Sequence, residues 1–155
     1  MAGRQGAAGR RGVAQGLSPI EVVVHHREQA RAALAAAGDL GRAIQLRSAP
    51  GAAHYAGVGY LKALGDALGH ELLIDCGDDA GVVMAALRTG CRQLVFSGSA
   101  ELAKRLADIA AQHGAALRHE TAPPDVLPLE VNDDPERVLR RALSRPDVPG
   151  SAPRK

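Results

Sequence analysis

Asp75 and Cys76 stand where the apolar run Leu72–Ile74 gives way to glycine and two more aspartates, in "LLIDCGDD" (72–79). A carboxylate ending such a run is partly desolvated, which suits proton transfer and makes Asp75 the candidate general acid or base. Cys76 beside it is the candidate nucleophile, although no cysteine–histidine pattern accompanies it. Other polar groups fall at comparable places: Ser48 and Gly51 in "SAPGAAH", Ser97, Gly98 and Ser99 in "FSGSAE", and Glu120 after "ALRH". The two serine–glycine loops open onto predicted helix N-termini, where free N–H groups and the helix dipole favour a phosphate or carboxylate. These six residues are therefore candidate ligand contacts, with plain helix capping as the competing role of each loop. His25, Cys76, His119 and Glu120 have the donor chemistry of a zinc site, but their spacing demands no ion, and neither metal nor cofactor is assigned. No GxxxxGKS/T or GxGxxG fingerprint occurs.

The elements that must position these groups alternate regularly. Strand-like runs occur at "IEVVVH" (20–25), "AIQLRS" (43–48), "ELLIDC" (71–76), "RQLVFS" (92–97) and "AALRHE" (115–120). Helical stretches between them close at Gly38, Gly69, Gly90 and Gly114. The stretch over 52–68 contains Gly57 and Gly59, each costing about 1 kcal/mol against alanine in a helix. The expected fold is α/β: five mostly parallel strands alternating with helices, as an incomplete TIM-type barrel or an open three-layer, flavodoxin-like sheet. Such folds bind ligands beyond the carboxyl ends of their strands, where all the candidate residues lie.

Around this domain, placed at 18–122, disordered tails are expected at 1–17 (basic) and 145–155, with a Pro-rich linker and short helix at 123–144. "DPERVLRRAL" (134–143) starts that helix with an Asp cap followed by proline. A net charge of +2, one Phe, two Tyr and no Trp argue against a nucleic-acid partner, which needs a basic surface and stacking platforms. No apolar run approaches the roughly 18 residues of a membrane span, and the N-terminus lacks a signal-peptide core. Two cysteines without a CxxC pattern fit free thiols and a cytoplasmic location. The side chains are mostly small, so the core buries little area per residue and a homo-oligomer is an expected partner state.

The order of segments resembles the first part of class II fructose- and tagatose-bisphosphate aldolase barrels, over roughly residues 20–120. The similarity runs through "IQLRSAPGAAHYAGVGYL" (44–61), "LLIDCGDD", "ALRTGCRQLVFSGS" (86–99) and "IAAQHGAALRHE" (109–120). The resemblance implies that Asp75 matches the family's proton-transferring aspartate and Ser48 a serine at the substrate end. Gly98 and Ser99 match the turn after the fourth strand. Cys76 stands where the family has a zinc-ligating histidine and Ser97 where it has an aspartate, which removes much of the metal shell that polarises a ketose carbonyl. Five βα units are also too few to close an eight-stranded barrel.

The functional expectation is accordingly a noncatalytic or regulatory domain that binds a small phosphorylated or otherwise anionic metabolite, or a partner protein. The alternative is a small lyase- or isomerase-type enzyme using Asp75. A third reading makes 125–144 a docking element.

Overall fold

The computed structural model describes residues 18–144, so both predicted tails lie outside the described residues. The elements run β1 Ile20–Val24, α1 Arg27–Asp39, β2 Ile44–Ser48, a π-helical turn Ala53–Gly57, α2 Val58–Leu68, and β3 Ile74–Asp75. They continue with α3 Ala80–Thr89, β4 Gln93–Phe96, α4 Ala100–Gln112, β5 Ala116–His119, β6 Leu127–Pro128 and α5 Pro135–Leu143. All five expected strands form, the third trimmed to Ile74–Asp75. A sixth, β6, was not expected, because proline inside a run argues against a strand. It is tolerated here because Leu129 N–H, not the proline, continues the ladder by bonding Val23 O at 3.3 Å. The helix expected over 52–68 is broken at Gly57, whose φ of 86° no β-carbon would favour; a π-helical turn precedes it and α2 follows. α1 runs one residue past Gly38, to Asp39.

The strands form two parallel ladders, ordered β2-β1-β6 and β3-β4-β5. A parallel bridge between Arg47 and Leu73 joins them. There, Ser48 N–H donates to Leu73 O and Leu73 N–H to Leu46 O, both at 2.9 Å. The continuous order is therefore β6-β1-β2-β3-β4-β5.

Side-chain alternation gives this sheet two unlike faces. Val22, Val24, Leu46, Ile74, Leu94 and Phe96 point outward into one core with the buried faces of the helices. α1 packs on β1 and β2, α3 on β4, and α4 on β5, with α5 beside α1. Ala30, Ala33, Ala36 and Ala37 line the buried side of α1 and let its backbone approach the sheet closely. Burying each large outward residue contributes about 1.5–3 kcal/mol relative to exposure.

The inner face carries Glu21, Arg47, Asp75 and Arg118 at alternating positions, alongside buried Leu73 and Val95. Arg118 of β5 forms an ion pair with Glu21 of β1. In a flat sheet these strands would lie about 19 Å apart, four spacings of about 4.8 Å, beyond the reach of such a pair. The sheet is therefore curled, with helices outside and charges inside, and of the two expected arrangements the partial barrel fits. Among the described residues no helix is long and apolar enough to cross a membrane.

Candidate functional site

The inner face converges on Arg47. Its placement follows from β2 register: Leu46 and Ser48 point outward, so Arg47 must point into the curl. Its side chain is 3% exposed. Nη1 donates to Glu21 Oε2 at 3.2 Å and Glu120 Oε2 at 2.7 Å. Nη2 donates to Asp75 Oδ2 at 2.7 Å and Glu120 Oε1 at 2.8 Å. Glu120 thus grips the guanidinium with both oxygens, the strongest geometry for this pair. Arg118 holds Glu21 and also donates to Glu120 Oε2 at 2.7 Å.

Three carboxylates and two guanidiniums leave this cluster one negative charge in excess. Burial alone would push Glu21 up, but hydrogen bonds and charge from Arg118 and Arg47 outweigh it and hold the carboxyl below the ordinary glutamate range. Glu120 is lowered chiefly by its hydrogen bonds from Arg47, against burial and with help from Arg118. Burial works against the charge on Arg47, but Glu120 and Asp75 more than offset it and raise its pKa.

Above this cluster lies a cavity of about 450 Å³ at the carboxyl ends of the strands. Arg47, Asp75 and Glu120 line it, together with Gly51, Gly77 and Ser97 from three βα loops. Residues 121–124 and Val126 form a further wall. A larger cavity of about 530 Å³ opens at the opposite ends of the strands, between the C-termini of α2 and α3. It contains none of the candidate residues and sits at the end where parallel α/β folds seldom bind ligands.

Of the eight candidate residues, the structure brings Gly51, Asp75, Ser97 and Glu120 to the mouth cavity. The other four serve the fold. Ser48 is fully buried on the outer face, where Oγ accepts the Asp75 N–H at 2.9 Å and pins β2 to β3. Cys76 also faces outward; burial, then the nearby Asp75 charge, pushes its thiol up to about 12, so it is no thiolate nucleophile at neutral pH. Gly98 sits against the Phe96 ring, which any β-carbon there would strike, and its carbonyl accepts from His119 Nε2–H at 2.8 Å. Ser99 caps α4 by accepting the Leu102 N–H at 3.3 Å, as Asp79 caps α3 through Gly81 and Val82 N–H.

The four residues with zinc-ligand chemistry do not converge. His25 Nε2–H donates to Leu129 O at 2.7 Å, His119 turns to Gly98, Cys76 faces the helices and Glu120 holds Arg47. Among the described residues no group of three His, Cys, Asp or Glu side chains could hold a metal ion.

Sequence reasoning passed over Arg47, Glu21 and Arg118. Their signal is a charged residue at an inward-facing alternate position of each strand: "IEVVV", "IQLRS", "ALRH". No protein-family model matches the chain, and no curated protein matches it.

Proposed function

We propose that the protein is a noncatalytic α/β domain, built like the first part of a class II aldolase barrel, that binds a small hydroxyl-rich metabolite at the strand-end mouth. The observation that carries this reading is the mouth cavity with Arg47, Asp75 and Glu120 at its floor. All four Nη–H bonds of Arg47 go to carboxylates, which leaves a free anion only the single Nε–H unless it displaces one of them. The carboxylates keep lone pairs to spare, and the cluster has an excess negative charge. Both properties favour hydroxyl donors at the floor. A phosphate or carboxylate on the same metabolite then lies outward, beside Gly51, Gly77 and Ser97.

Catalysis through Asp75 has weaker support. Oδ2 is committed to Arg47, Oδ1 accepts the Gly77 N–H at 2.9 Å, and Cys76 points away.

Thermal unfolding with a panel of sugars, sugar phosphates and inorganic phosphate tests the reading. Sugar phosphates and their parent sugars should raise Tm, inorganic phosphate alone should not, and Glu120→Gln should abolish the shift. A panel in which no polyol moves Tm would sink the proposal.

A further inference from the structure

We propose that β6 and α5 form an arm that exchanges between two copies of the chain, giving a dimer in which each arm lies on β1 and α1 of the other copy. The inference is independent of what the mouth binds. It starts from how completely the arm behaves as a docked peptide. Its packing falls on β1 and α1. Leu129 and Leu139 are fully buried there.

Three consecutive arm carbonyls are each taken by a side chain from the β1–α1 turn or the first turn of α1. His25 donates to Leu129 O at 2.7 Å, Gln29 to Glu130 O at 2.6 Å and His26 to Val131 O at 3.2 Å. This is strand addition to a sheet edge with a polar clamp beyond it, a mode that works equally well between chains.

The tether allows that exchange. β5 ends at His119 and β6 begins at Leu127, so residues 120–126 alone carry the chain from the β5 edge of the sheet to the β6 edge. Pro123 and Pro124 stiffen this short connection, and no backbone hydrogen bond joins residues 121–126 to the rest of the described chain. Exchange of such an arm costs little, because the closed and exchanged forms make the same contacts and differ mainly at the hinge. β6 lies in a different ladder from β5, so the arm leaves its site without breaking a pairing to β5.

Light scattering after size exclusion, from micromolar to millimolar chain, should give a mass of two copies that rises in share with concentration. Inserting a flexible Gly/Ser run between Pro123 and Pro124 should return the protein to one copy with unchanged circular dichroism. A second measurement covers poor folding of that variant. Val23 and Pro128 are register partners in the β1–β6 ladder. Oxidised Val23→Cys/Pro128→Cys protein should run on a denaturing gel as two linked chains. One-copy mass at every concentration, a dimer unaffected by the insertion, or a cross-link confined to single chains would each overturn the proposal.

Discussion

The two faces of the curled sheet are made by alternate residues of the same strands, yet they are held by different physics. The outer face, with Leu46, Ile74, Leu94 and Phe96, gains stability from area removed from water, a gain that is non-directional and independent of pH. The inner face gathers Glu21, Arg47, Asp75, Arg118 and Glu120, where desolvation consumes much of the Coulombic gain and geometry decides the balance. Outer residues make the domain fold, whereas inner ones shape what its mouth can recognise. β2 shows this most plainly: Leu46 and Ser48 serve the core on either side of Arg47, which serves the site.

The largest effects should come from one deletion on each face. Phe96→Ala and Arg47→Ala should each cost about 3–5 kcal/mol at neutral pH in urea unfolding, the first from a cavity and the second from stranded carboxylates. They should part company on acidification, with the Arg47→Ala penalty shrinking as its former partners protonate and the Phe96→Ala penalty staying put. Replacing Arg47, Asp75 and Glu120 together by apolar residues should recover most of the Arg47→Ala loss. Equal pH dependence for the two single variants would erase the distinction between the faces.

A smaller effect follows from the lowered glutamates. Because their folded pKa values are depressed, their contribution is complete above the ordinary value of 4.5 and is lost as pH falls through the lowered folded values. Glu120→Gln should therefore be less stable at neutral pH and have a flatter stability curve across that acid window. A Glu120→Gln curve parallel to the wild type would show that Glu120 is not the carboxylate responsible.

The smallest effect concerns the thiols. Burial raises both Cys76 and Cys91, so an alkylating reagent at neutral pH should modify neither until the protein unfolds. Prompt labelling of Cys76 in the native protein would put it on the wrong face.

The strand–helix alternation was legible because β-branched and leucine runs sit between glycine stops, and Gly69 and Gly90 do close their helices in the left-handed conformation. β6 was hidden, since Leu127–Pro128 carries almost no local signal and is a strand only by virtue of β1 beside it. The site was half legible. Asp75 and Glu120 stand out at strand ends, but so do Ser48 and Cys76, which alternation turns into the outer core. Arg47 escaped notice because a single arginine within a strand reads as solvent-facing. Its burial depends on Glu21, Asp75 and Glu120, which no local window contains.

The partners of Arg47 come from β1, from β3 and from the residue after β5, so they span most of the described chain. No shorter fragment can assemble the cluster, even one that retains several intact strand–helix units. Arg47 therefore acts as a reporter of long-range closure: its carboxylates are gathered only when β1, β3 and the end of β5 have come together. A chain cut short before Glu120 would lack the two-oxygen grip on the guanidinium and, with it, a formed mouth.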